Sequence, residues 1–320
     1  MGENFSVPTK ARITALEAAM LTKVRRPTLD DLRLTPGKRA RLYRLLYEYG
    51  PANGTLLLLP IDQGIEHGPV DFFDNPDSLD QDYIFRLAIE GNYSGVACHV
   101  GLAKKYFGPY AGKVPLLLKV NGKTNIPSDD EPFSPLTSSV EDAVRIGADA
   151  VGYTLYVGSA RQDDDIKQLD DVRQDCDRYG MPLVVWSYPR GKAIKEKGGQ
   201  DSLYAVDYAA RMACEMGADI VKLNEPKVGE NLDKQPKPYN TLKFSEEEAI
   251  RKVVTSAGRT LVLLSGGSKM GDDDLLRKVR VAMDAGVTGL IFGRNLWQRK
   301  WDDSLAVTAR IHEMLKAYSA

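Results

Sequence analysis

Two hydrophobic rhythms take turns along this chain. Short unbroken apolar runs, bounded by glycine or by an acidic residue, lie at 55–61, 95–99, 115–120, 150–155, 183–188, 220–224, 261–265 and 289–293. Runs of this kind suit strands covered on both faces. Between them, apolar residues three and four apart form helical stripes, as in Ile166, Leu169, Val172 and Cys176, or Ile250, Val253, Val254 and Ala257. A third stripe runs through Val206, Ala209, Ala213 and Met216. The entry into a strand is also repeated: Gly147-Ala148-Asp149-Ala150-Val151, Gly217-Ala218-Asp219-Ile220-Val221 and Gly286-Val287-Thr288-Gly289-Leu290 each place a glycine helix stop before an apolar run.

Strands that alternate with helices require a parallel sheet, and eight such units predict closure into an α/β fold of the (β/α)8 TIM-barrel type. No Gly-x-Gly-x-x-Gly follows any of the strands, which argues against a dinucleotide-binding sheet. The barrel is expected over 54–320. Residues 1–53 read as an N-terminal helical extension packed on it, with helices predicted over 6–20 and 36–50.

Charge narrows the partners. The 320 residues carry 43 basic and 44 acidic side chains, mixed along the chain, for a formal net charge of −1. That balance leaves no footprint for nucleic acid or an anionic membrane. No apolar run approaches the ~20 residues of a membrane span, and the N-terminus lacks the order of a signal peptide. Cys98, Cys176 and Cys214 have no paired spacing, which points to a reducing compartment, the cytoplasm. The acidic start Asp163-Asp164-Asp165 reads as a helix N-terminus with a solvated face. His67, His99 and His312 offer no metal-ligand spacing, so neither a metal nor another cofactor is expected.

In a barrel, chemistry belongs at the C-terminal ends of the strands. The sixth strand carries Lys222 among Ile220, Val221 and Leu223. A buried lysine loses hydration, its pKa falls, and the neutral amine is a nucleophile; a lysine whose head reaches solvent is the bland alternative. The first strand ends in Asp62-Gln63-Gly64-Ile65-Glu66-His67-Gly68, with Asp62 its deepest carboxylate. The fifth places Trp186 and Tyr188 on one face by alternation, followed by Arg190 and Lys192. After the seventh and eighth strands come Ser265-Gly266-Gly267 and Gly293-Arg294, where barrels frequently bind phosphate. An amine, a phenol, a carboxylate and a phosphate clamp around one opening imply imine chemistry on a phosphorylated ketone.

These motifs, with Asp219-Ile220-Val221-Lys222 and Gly289-Leu290-Ile291-Phe292-Gly293-Arg294, resemble the archaeal-type (DhnA-like) class I fructose-bisphosphate aldolases from about residue 56 to residue 294. The resemblance implies a metal-independent aldolase that cleaves fructose 1,6-bisphosphate reversibly to glycerone phosphate and glyceraldehyde 3-phosphate. By this resemblance Lys222 is the Schiff-base lysine, Tyr188 the general acid/base, Trp186 the aromatic that positions substrate, and Asp62 an assistant in proton movement. Ser265, Gly266, Gly267, Gly293 and Arg294 would hold one phosphate and Arg190 the other. The family also implies a homo-oligomer, often a decamer. Asn224-Glu225-Pro226 and residues 227–239 depart from its pattern. The related aminodideoxyheptulosonate synthases share a Tyr-Pro-Arg-Gly-Lys run, so a Schiff-base synthase or thiolase on another phosphorylated ketose is the alternative, followed by a non-catalytic phosphosugar-binding barrel.

Overall fold

The structure is a computed structural model that describes residues 26–319. Its eight parallel strands are β1 (Leu56–Pro60), β2 (Gly95–His99), β3 (Leu116–Lys119), β4 (Ala150–Val157), β5 (Leu183–Pro189), β6 (Ile220–Leu223), β7 (Leu261–Ser265) and β8 (Gly289–Ile291). They pair in chain order, and β8 returns to β1 to close the barrel. Every predicted strand is present, β2 and β7 with the predicted ends and the others with ends that differ by one or two residues. The three glycines of the repeated entry signal adopt left-handed backbone, with φ of 80° at Gly147, 85° at Gly217 and 98° at Gly286, a region in which a side chain is strained.

Alternation along each strand sorts the side chains into two cores. Outward residues such as Leu57, Leu118, Val185 and Val221 pack under the surrounding helices. Inward residues such as Leu58, Leu117, Val184 and Ile220 fill the barrel itself. The inner core also includes Leu42, Leu45 and Leu46, which are almost completely buried although they precede the first strand. They belong to the helix Pro36–Tyr43 and the wider turn Arg44–Glu48 that continues it.

Ion pairs fix where this helix sits. Lys38 lies 3.0 Å from Asp219, just before β6, and Arg44 lies 2.8 Å from Asp149, just before β4. Both carboxylates stand at strand entries, so the helix closes the N-terminal end of the barrel with a leucine floor. Burying each leucine contributes about 1.5–3 kcal/mol. The predicted helix over 6–20 lies outside the described residues.

One expectation is corrected. Asp163 and Asp164 are exposed, as a solvated helix start requires, but Asp165 is fully buried. Its carboxylate accepts hydrogen bonds from the Tyr153 hydroxyl at 2.6 Å and the Tyr156 backbone N–H at 2.8 Å, so it fastens the end of β4. Among the described residues, no helix is long and apolar enough to cross a membrane.

The upper layer of the barrel interior depends on one missing side chain. A Cβ on Gly152 would stand 2.8 Å from Trp186 Cζ3 and 3.0 Å from Lys119 Cδ, so two large side chains cross the barrel only because β4 has none there. Gly152→Val is expected to destabilise the fold by about 1–3 kcal/mol, the range for overpacking a core, and to displace Trp186. Chemical denaturation followed by tryptophan fluorescence checks both effects.

Candidate active site

Inward alternation brings Asp62, Tyr188, Lys222, Ser265 and Gly293 from five strand ends to one cavity of about 700 Å³ at the C-terminal end of the barrel, and Arg294, the first residue of the short helix after β8, joins them. Gly266, Gly267 and Arg190 line it as well. Trp186 lies below its floor, fully buried. Register sets Trp186 of β5 beside Lys222 of β6, and the amine sits 5.8 Å from the centre of the Trp186 ring. Lys222 donates a hydrogen bond to the Tyr188 hydroxyl. The amine and the phenol predicted from separate strands are therefore direct partners.

A second lysine sets the electrostatics. Lys119, at the end of β3, is fully buried and bridges two carboxylates, Asp62 at 3.1 Å and Glu66 at 2.7 Å. Its ammonium also lies 4.6 Å from the Trp186 ring. Burial works against its charge, but Glu66 and Asp62 outweigh it and lift Lys119 above the ordinary lysine range. The same contacts act on Asp62: burial favours its neutral form, yet Lys119 and then Lys222 hold its carboxyl at about 2.

Lys222 has the opposite balance. Burial is the largest influence and lowers its pKa to about 8; Asp62 and Glu66 pull upward, while Lys119 and Arg190 push further down. Among the described residues Lys222 forms no ion pair with a carboxylate. Near neutral pH a minor fraction of its amine is therefore unprotonated, far more than for a lysine in water. Burial, with Glu66 and Asp62, keeps the Tyr188 phenol protonated well beyond the ordinary tyrosine range. The cavity thus holds a nucleophilic amine in contact with a proton donor.

The glycine loops are held from behind. The Gly266 carbonyl accepts hydrogen bonds from Asn295 Nδ2 at 3.3 Å and Lys278 Nζ at 3.4 Å. A peptide is planar and trans, so its C=O and N–H point in opposite directions; the Gly267 N–H is turned away from these two side chains. Gly267 has φ of +71°, where a side chain is strained, and a Cβ on Gly293 would stand 2.7 Å from Gln63 Nε2 and push that side chain aside. Arg294 stands 3.8 Å from Asp71. Arg190, at the top of β5, lies 5.2 Å from the Tyr188 ring centre and 3.7 Å from Asp129.

Several residues here were not singled out in the sequence. Lys119 carries the same signal as Lys222, a lysine closing an apolar strand. Tyr156 falls one residue past the predicted end of β4, yet it pairs in register with Tyr188 and lines the cavity. Asn224, in the stretch that departs from the family pattern, accepts a hydrogen bond from Ser265 Oγ at 3.2 Å. Lys278 and Asn295 reach the site from beyond the strand ends, and no local pattern marks them. His99 is buried, and His67 pairs with Asp71 at 2.7 Å.

The DeoC/LacD family aldolase matches over residues 56–299. A class 1 fructose-bisphosphate aldolase of Thermoproteus tenax is 41% identical over 264 residues, spanning 82% of this chain and 90% of its own length. A 2-amino-3,7-dideoxy-D-threo-hept-6-ulosonate synthase of Halobacterium salinarum is 30% identical over 279 residues, 87% of this chain and 92% of its own. Among solved structures, an archaeal fructose-1,6-bisphosphate aldolase whose catalytic lysine is covalently bound to the carbinolamine intermediate of the substrate superposes with a TM-score of 0.73. It is 38% identical and covers 86% of this chain and 99% of its own.

The charge balance at Lys222 has a measurable consequence. Replacing Lys119 with methionine removes a cation that disfavours protonation of Lys222 and frees Asp62 and Glu66 to attract that proton. The pKa of Lys222 is then expected to rise above about 8, moving the acid limb of the pH–rate profile for covalent capture to higher pH. The profile of K119M against that of the unaltered protein checks the direction.

Proposed function

The chain belongs to the DeoC/LacD aldolase family, and from this premise we infer that it is a class I, Schiff-base fructose-1,6-bisphosphate aldolase, a carbon–carbon lyase. It cleaves its substrate reversibly to glycerone phosphate and D-glyceraldehyde 3-phosphate. The observation that carries this reading is the buried amine of Lys222 in contact with the Tyr188 hydroxyl, inside a cavity flanked by glycine loops.

In the mechanism that follows, the neutral amine of Lys222 attacks the C2 ketone and forms a carbinolamine. Tyr188, protonated and adjacent, supplies the proton with which the C2 hydroxyl leaves as water. The resulting iminium is the electron sink: a base takes the proton of the C4 hydroxyl, the C3–C4 bond breaks, and its electron pair forms the enamine. Glyceraldehyde 3-phosphate departs. Protonation at C3 and addition of water then return the amine and release glycerone phosphate.

Asp62, ionised beside Lys119 and close enough to influence Lys222, suits the movement of protons around the carbinolamine. Trp186 supplies an aromatic wall beneath the imine. The Gly267 N–H, Ser265, Gly266, Gly293 and Arg294 are the candidates for one phosphate, and Arg190, beside Tyr188, for the other. A homo-oligomeric, decameric assembly in the cytoplasm and a place in glycolysis and gluconeogenesis complete the proposal. Three free cysteines suit a reducing compartment.

Borohydride reduction in the presence of fructose 1,6-bisphosphate is expected to add a reduced triose phosphate at Lys222, read by peptide mass spectrometry. Lys222→Ala should abolish both the adduct and cleavage. An adduct on another residue, or cleavage retained in K222A, would refute the mechanism. Covalent capture without cleavage would shift the assignment toward a synthase. Tyr188→Phe should lower kcat by about 10²–10⁴, the usual contribution of a positioned acid or base, while the adduct at Lys222 still forms on long incubation.

A further inference from the structure

Beside Arg190, the rim of the cavity holds an anion of the protein's own. Asp129 Oδ1 lies 2.7 Å from Lys123 Nζ, and Asp129 Oδ2 lies 3.7 Å from Arg190 Nε, so one carboxylate spans two cations. All three residues line the same cavity as Lys222. Arg190 lies 5.2 Å from the Tyr188 ring centre, and Lys123 lies 5.9 Å from that of Tyr156, the residue paired with Tyr188 in register. The two cations therefore stand over the rings of the two phenols. The side chains of Lys123 and Arg190 are only 15% and 18% exposed, whereas that of Asp129 is 40% exposed. The cations are built into the wall, and the Asp129 side chain is partly exposed, although its Oδ1, the oxygen on Lys123, is itself buried.

The backbone around this carboxylate is tethered. The next residue, Asp130, accepts a hydrogen bond on its carbonyl from the Lys192 backbone N–H at 3.1 Å, and its carboxylate pairs with Lys195 at 2.7 Å. Rotation of the Asp129 side chain alone is enough to vacate the position between Lys123 and Arg190. A carboxylate and a phosphate ester are recognised by the same cation geometry, and the phosphate brings more charge and a third oxygen. A carboxylate that leaves the pair regains the hydration its buried Oδ1 lacks there, which offsets part of the interaction it gives up.

We propose that Lys123 is a second cation of the site for the substrate's distal phosphate, and that Asp129 is its resting counter-ion, displaced by the incoming phosphate. This deepens the aldolase reading and rests on it. The device is a specificity determinant: weak anions meet an occupied site, and the phosphate of a bisphosphorylated sugar takes it over.

The proposal gives Asp129 an effect opposite to that of an ordinary binding residue. Asp129→Asn keeps the shape and removes the competing charge. The KM for fructose 1,6-bisphosphate should fall by about threefold or more, and inorganic phosphate should become a correspondingly stronger competitive inhibitor. Lys123→Met should raise the KM for the bisphosphate by about tenfold and narrow the preference for it over fructose 1-phosphate, which lacks the distal group. A KM that rises or stays unchanged in D129N would overturn the counter-ion role, because Asp129 would then only position Lys123. An unchanged preference in K123M would remove Lys123 from the site. Failure of the underlying reading looks different: the unaltered protein would then form no borohydride adduct with glycerone phosphate, whose single phosphate does not need the distal site.

Discussion

The two ion pairs that hold Lys119 between Asp62 and Glu66 govern the rest of the site. Three strand ends bring two amines and two carboxylates into a space shielded from water, where any of several pairings would lower the energy. Glu66 and Asp62 bond to Lys119 at 2.7 and 3.1 Å, and Lys222 is left facing a phenol. Had the carboxylates chosen Lys222, its amine would be a stable ammonium with no lone pair to offer. Division of labour between two like side chains thus separates a permanent charge from a reactive base, and geometry decides which is which.

That geometry is made by the barrel. Period-two alternation turns Lys119, Trp186 and Lys222 inward at neighbouring register positions, and the bare backbone of Gly152 leaves room for the first two to cross. Asp165 secures the end of β4 from outside through Tyr153 and the Tyr156 backbone. The site is therefore positioned by strands rather than by long loops. Even the glycine loop after β7 is immobilised, because Asn295 and Lys278 hold its carbonyl from the wall.

Much of this was legible in the sequence for a plain reason: apolar runs and glycine stops are local, and a parallel barrel repeats them. Lys222, Tyr188 and Asp62 could be found because each is a polar residue closing an apolar run. Lys119 satisfies the same rule, but its meaning depends on which carboxylates it meets, and those come from another strand. Asp165 was misjudged because an acidic triplet at a helix start looks solvated, whereas the phenol and the N–H that bury its third member lie on β4. The role of Leu42, Leu45 and Leu46 was equally hidden, since an amphipathic helix does not declare what its apolar side will face. Lys278 and Asn295 act across space through a carbonyl, and nothing in their own neighbourhood records it.

The leucine floor, continuous with the packed barrel interior above it, also determines the direction from which solvent can arrive. Leu58, Leu117, Val184 and Ile220 fill the barrel beneath the imine and the floor caps that packed interior, so water has no path to the covalent intermediate from below. With Leu42, Leu45 and Leu46 sealing the underside, and Lys38 fastening that seal to the residue just before the strand of Lys222, traffic is one-sided. Water must enter by the route the departing aldehyde has just vacated, so the order of product release and hydrolysis is written into the shape of the vessel.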